Sequence, residues 1–149
     1  RKGAPFLAAH SVARGAEKWI DIACHPTPEP VIAWAHDEKV PLVATHPDGE
    51  LTPGDLATMP KLALVLGSER EGIQEKLAGA CTARVRVPMR GFAESLNVSV
   101  TAAILVQAAT TGRHGDLTEA ARTSLYARGL YLSVPRAQDV LVARPGDSA

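Results

Sequence analysis

Arg86-Val-Pro-Met-Arg-Gly-Phe-Ala-Glu-Ser-Leu-Asn-Val-Ser-Val100 decides the reading of this chain. Just before it, Ala83-Arg-Val-Arg-Val87 alternates, so that Val85 and Val87 share one face of a strand. Pro88 lacks an N–H and stops the hydrogen-bond ladder. A polar loop follows, and Ser95 and Asn97 open a long apolar run. Either side chain can cap a helix start by accepting from an orphan amide. Asn97 reads equally as an amide inside the helix, buried and satisfied by neighbouring backbone. The pattern predicts a mostly buried helix over Ser95 to Ala109, because apolar residues surround much of it. A strand end, a hydroxyl, a carboxamide and free backbone amides thus meet at one spot, as a small ligand and a polar reaction require. Arg90 in the loop can hold a phosphate or carboxylate through two parallel hydrogen bonds.

Upstream, apolar runs bounded by turn residues alternate with helical patterns, which argues for α/β. Trp19-Ile-Asp-Ile-Ala-Cys24, Val40-Pro-Leu-Val-Ala44 and Leu62-Ala-Leu-Val-Leu66 read as strands. The last is a near-continuous apolar run, as expected for a strand buried on both faces. Pro26 to Pro30 open a helix through about Asp37, with prolines where early helical positions tolerate a missing N–H. Thr45-His-Pro-Asp-Gly49 is a cluster of turn formers. In Leu64-Val-Leu-Gly-Ser-Glu-Arg-Glu-Gly-Ile73, Gly67 lets backbone approach a ligand closely and Gly72 permits a tight turn. A helix should begin near Gly72 and include Ile73 and Leu77. Glu69 and Glu71 argue against a phosphate cradle and suit a cationic or hydroxyl-bearing ligand. Taken alone, this motif is weak, and a turn without function fits it as well. After Gly112, Thr118 and Glu119 precede a helix through about Arg128, and a last short helix covers Arg136 to Val142. Arg113, Arg122, Arg128, Arg136 and Arg144 make this tail the most basic section.

The 149 residues suffice for one domain with a sizeable core. With 46% hydrophobic and 21% charged residues, the chain belongs with globular rather than disordered proteins. The formal net charge is zero, so contact with nucleic acid must come from local basic patches. No apolar run is long enough to span a bilayer, and no signal peptide opens the chain. Cys24 and Cys81 show no metal-ligand spacing and read as reduced packing residues.

Two motifs together point further. Pro88-Met-x-Gly-x-x-x-Ser-Leu-Asn-Val-Ser99 closely resembles the last signature motif of the SpoU-type RNA ribose 2'-O-methyltransferases of the SPOUT superfamily. Gly67-Ser-Glu-Arg-Glu-Gly72 resembles their second motif, a Leu-Gly-x-Glu-x-x-Gly pattern, and order and separation agree. The resemblance implies an α/β domain over residues 1–112, with a mostly parallel sheet, flanking helices and a C-terminal deep trefoil knot. Residues 113–149 would form a basic helical extension. It implies S-adenosyl-methionine as cofactor, contacted from Thr45, Gly67, Val87, Met89 and Leu96. Ser95 and Asn97 match residues that position the nucleophile, and Glu69 matches a carboxylate that shapes the site. No metal is implied. A homodimer is, with an exposed apolar face on the long helix to suit it, and so is a cytoplasmic location.

Ser11-Val-Ala-Arg-Gly15, running on to Lys18-Trp19, resembles a segment of tRNA (guanosine-18-2'-O)-methyltransferases. Ser124-Leu-Tyr-Ala-Arg-Gly-Leu-Tyr-Leu-Ser-Val-Pro135 resembles their C-terminal extension. The implied substrate is therefore RNA, tRNA ahead of 23S rRNA, with Arg90, Arg128 and Arg136 on its phosphates. The family's first motif carries an arginine that favours the ribose alkoxide. It is expected upstream of Arg1, and Arg14 does not replace it, so the chain reads as N-terminally truncated. A non-catalytic fragment that binds cofactor or RNA is the alternative.

Overall fold

The computed structural model describes residues 15–68, 70–92 and 96–142, apart from the side chains of Glu17, Val140 and Leu141. Of the expected site residues, Glu69 and Ser95 lie outside the described residues. The chain divides into two compact units, one of residues 25–114 and one that joins residues before His25 to those after His114.

The first unit is α/β. Helix α1 (Glu29–Asp37) has a proline in its first turn and leads to strand β1 (Leu42–Thr45). Then come α2 (Pro53–Leu56), β2 (Ala63–Val65), α3 (Glu75–Gly79), β3 (Ala83–Val85) and α4 (Val98–Thr110). The strands form one parallel sheet in the order β2-β1-β3. Val43 pairs with Leu64 on one side and Ala83 on the other.

Parallel pairing requires crossovers, and these put helices on both faces. On one face Val43, Leu56, Val85, Leu105 and Ala109 form a core that joins β1 and β3 to α2 and α4. On the other, Ala35, Leu42 and Val65 pack with Ile73 and Leu77. The period-2 alternation along β1 sends Leu42 and Val43 to opposite faces, and both are buried. All three strands point the same way, so their carboxyl ends emerge along one rim.

Several expectations need correction. Helix α2 was not foreseen, although Thr52 and Asp55 form a capping box with Pro53 at the first position. The helix after Gly72 starts later, at Glu75, because Gly72 (φ 67) is still held in a turn by paired hydrogen bonds with Ser68. Ile73 nonetheless buries against the sheet. Asn97 is not inside α4 but caps it, its Oδ1 accepting from the Ser99 N–H at 2.8 Å. Helix α4 is buried along one stripe only: Leu105 and Ala109 are enclosed, whereas Val100 and Val106 are about half exposed.

In the second unit the strand expected over 19–24 is absent. Ala16–Trp19 is a single 3-10 turn, followed by irregular chain with Ile20 and Ile22 exposed. Trp19 finds its partner in a helix instead. Helix α5 (Glu119–Ser133) starts at Thr118, whose hydroxyl accepts from the Ala121 N–H, and α6 (Ala137–Val142) follows. A Cβ on Gly129 would stand 2.4 Å from the Trp19 ring. Gly129 is therefore a seat for the indole, and α5 runs through it to Ser133 rather than ending at Arg128. Tyr126 stacks on the same ring, with centroids 6.3 Å apart.

Both cysteines are free. Cys81 is half-buried, and burial pushes its thiol pKa up. Cys24 is exposed and is not the packing residue expected. Among the described residues no helix is long and apolar enough to cross a membrane.

Candidate functional site

The loops that leave β1, β2 and β3 meet at the carboxyl rim of the sheet, where open parallel sheets bind ligands. They enclose a cleft of about 430 Å³. Thr45, Gly67, Val87, Met89 and Leu96, which the sequence reading placed at a cofactor, all line it. One comes from the β1 end, one from the β2 end and three from the stretch between β3 and α4.

Hydrogen bonds fix the rim. The Thr45 hydroxyl donates to the Val65 carbonyl at 3.3 Å, tying the end of β1 to that of β2. The His46 N–H donates to the Val85 carbonyl at 3.0 Å, tying β1 to β3. The chain then turns back, with the Gly49 N–H on the His46 carbonyl and the Asp48 N–H on His46 Nδ1 at 3.1 Å. Gly49 is pressed against β3, where a Cβ would stand 2.6 Å from the Val85 carbonyl carbon. Beyond it, the Glu50 carboxylate accepts from the Arg84 N–H at 2.8 Å, which holds its pKa below the ordinary value.

The loop after β2 closes on itself. Ser68 and Gly72 exchange two backbone hydrogen bonds of 3.0 Å, and the Ser68 hydroxyl accepts from the Glu71 N–H. Gly67 lies under this loop, and a Cβ there would meet Gly72 at 2.5 Å. The close approach expected at Gly67 is thus made first to the chain's own backbone.

The lining is apolar and neutral, with Val85, Val87, Met89 and Leu96 beside the side chains of Thr45, His46, Ser68 and Thr101. Among the described residues no lysine, arginine or carboxylate lines the cleft. His46, Ser68 and Thr101 were not foreseen. His46 sat in a run already explained as a turn, and Thr101 in a helix read only for its apolar face. Asn97 is next to the lining residue Leu96 and is exposed; its Oδ1 is taken by the cap, and among the described residues its amide N–H groups have no partner.

The arginines expected at RNA separate. Arg90 is exposed in the loop after β3, on the same unit as the cleft. Arg128 and Arg136 belong to the other unit. Arg128 is bound to Asp21 at 2.5 Å and to the carbonyls of Lys18 and Ile20, and among the described residues its buried Nε has no partner. It holds its own unit together rather than standing free. Arg136 is exposed and pairs with Asp139 at 2.7 Å.

The model of the SpoU rRNA Methylase family matches residues 5–107. The 23S rRNA (adenosine(1067)-2'-O)-methyltransferase of Streptomyces laurentii is 40% identical over 79 residues, covering 52% of this chain and 29% of that protein. The tRNA (guanosine(18)-2'-O)-methyltransferase of Escherichia coli K12 is 26% identical over 112 residues, covering 74% of this chain and 49% of that protein. The crystal structure of a TrmH/SpoU tRNA modifying enzyme of A. aeolicus matches in fold with a TM-score of 0.71. That match is 24% identical and covers 90% of this chain and 72% of that one. The chain spans less than half the length of either curated relative.

Proposed function

Since the chain belongs to the SpoU rRNA Methylase family, we propose that it forms the cofactor-binding part of an enzyme that methylates a ribose 2'-hydroxyl of RNA. The observation that carries this reading is the convergence of Thr45, Gly67, Val87, Met89 and Leu96 on one cleft. S-adenosyl-methionine fits that lining: apolar side chains suit the adenine, and strand-end backbone suits the ribose and the amino-acid end. When bound, the cofactor supplies a methyl group on an electron-poor sulfonium.

The chain's own work is placement. Val87, Met89 and Leu96 exclude water around the donor, and the turn from Gly67 to Gly72 shapes the opposite wall. The attacking 2'-hydroxyl is a weak nucleophile at neutral pH and needs a base or a cation that favours the alkoxide. Asn97 and Ser95 orient that hydroxyl, and Glu69 shapes the cofactor wall. In the family's enzymes an arginine of the first motif would favour that alkoxide. The deep trefoil knot, assembly as a homodimer through the exposed apolar side of α4, and action in the cytoplasm belong to the same reading.

tRNA is the favoured substrate. The tRNA-modifying relative is similar across 74% of this chain. Arg90 and Arg136 would hold phosphates, and Arg128 would act through the unit it braces. A second reading, 23S rRNA, has in its favour the 40% identity to the rRNA enzyme, which covers 52% of the chain. Titration calorimetry with S-adenosyl-homocysteine tests the core of the proposal, and saturable one-to-one binding is the expected result. Absence of heat and of competition at millimolar ligand would overturn it. Transfer of labelled methyl from S-adenosyl-methionine to tRNA or 23S rRNA transcripts by the complete enzyme then separates the two substrates.

A further inference from the structure

Resting on the cofactor reading of the cleft, we propose that His46 is a specificity residue that hydrogen-bonds the carboxylate at the amino-acid end of the ligand. The argument starts from the tautomer. His46 Nδ1 accepts from the Asp48 N–H at 3.1 Å, so the neutral ring carries its proton on Nε2. Among the described residues, nothing in the structure accepts from that nitrogen. The backbone of His46 is fixed independently by the bonds to Val85 and Gly49, so the ring hangs from a rigid rim.

The other polar side chains of the cleft are hydroxyls. The Thr45 hydroxyl already donates to Val65, whereas Ser68, whose oxygen accepts from the Glu71 N–H, and Thr101 offer only neutral O–H donors. No arginine or lysine lines the cleft among the described residues. A carboxylate entering this neutral, largely apolar space must find N–H or O–H donors or lose much of its solvation. His46 offers the one side-chain N–H among the described lining residues. The apolar set of Val85, Val87, Met89 and Leu96 suits the nucleoside end and offers a carboxylate nothing.

Two probes differ in the relevant group: S-adenosyl-homocysteine carries the carboxylate, and 5'-methylthioadenosine keeps the nucleoside and sulfur without it. Calorimetry on the whole chain should find that His46→Ala weakens S-adenosyl-homocysteine by roughly tenfold or more, the usual loss for a hydrogen bond to a charged group. Methylthioadenosine should bind the variant and the native chain alike. His46→Gln, which retains an N–H donor, should recover most of the lost affinity. Equal loss for both probes would make His46 a prop for the loop, and no loss for either would remove it from the site; both outcomes overturn the proposal. If the native chain binds neither probe, the cofactor reading itself fails, a result distinct from the other two.

Discussion

Gly67 lies so close to Gly72 that a Cβ added to it would stand 2.5 Å from the Gly72 carbonyl carbon. Backbone cannot yield there without opening the two hydrogen bonds between Ser68 and Gly72. Gly67→Ala should therefore distort the cleft wall and weaken S-adenosyl-homocysteine at least tenfold. Gly72→Ala meets open space and is limited by its φ of 67°, a strain of roughly 1 kcal/mol. Its effect on binding should be several-fold smaller. Calorimetry on both variants checks the order, and equal affinities would show that the loop does not form the wall.

Asn97 caps α4 beside the cleft, so its removal mixes two effects. Asn97→Ala should cost about 1 kcal/mol in stability through the lost cap. Asn97→Asp keeps the accepting oxygen and lacks the amide N–H groups. In the complete enzyme it should fold as the native protein does and bind cofactor about as well, yet methylate at least tenfold more slowly. Melting curves, calorimetry and single-turnover rates separate these quantities. A native rate for Asn97→Asp would restrict the residue to capping.

How much of this was legible in the residues follows from where the information sits. The runs around Leu42, Leu64 and Val85 are strands, and their apolar pattern announced them, although β2 is an edge strand with only Val65 fully buried. The run from Trp19 carries a similar pattern, but its indole is satisfied by Gly129, more than a hundred residues away. Local reading cannot see such a partner. The cleft-lining residues came from motif resemblance, since Val87, Met89 and Leu96 carry no side-chain chemistry that would mark them. His46 escaped because a turn explained it fully until the strand ends were seen to converge.

Acid should act through Glu29. A hydrogen bond from Lys76 at 2.5 Å, with help from Thr27, lowers its pKa from 4.5 to about 2. A depressed carboxyl pKa contributes stability that is fully present above 4.5 and is lost as pH falls toward 2. The pair is exposed, so the effect is small and is weakened by salt. Lys76→Met should lower the urea midpoint slightly at pH 7 and flatten the loss across that window, so that the two proteins converge toward pH 2.5. Midpoints measured from pH 6 to pH 2.5 test this, and parallel curves for both proteins would remove Glu29 from the acid limb.

Gly129→Ala should unseat Trp19, because the new methyl would stand 2.4 Å from ring carbons. Either the indole leaves its place beside Tyr126 or α5 moves, at a cost of roughly 1–3 kcal/mol typical of overpacking. In a Trp34→Phe background Trp19 is the only tryptophan. Its emission should then shift to the red in Gly129→Ala. An unchanged spectrum would mean that the turn over 16–19 is not held by this contact.

Arg128 and Arg136 should separate by function. Arg128→Ala removes the partner of Asp21 and the donor to two carbonyls, so it should lower the melting temperature. Arg136 is exposed and its one ion pair among the described residues lies within α6 and its entry, so Arg136→Ala should leave melting nearly unchanged. If Arg136 meets an RNA phosphate, its loss should weaken binding to tRNA and rRNA transcripts alike. The slope of log K against log salt should fall by about 0.7 to 0.9. Filter binding from 50 to 200 mM salt gives that slope. An unchanged slope, with affinity also unchanged, would confine the cation to its pair with Asp139.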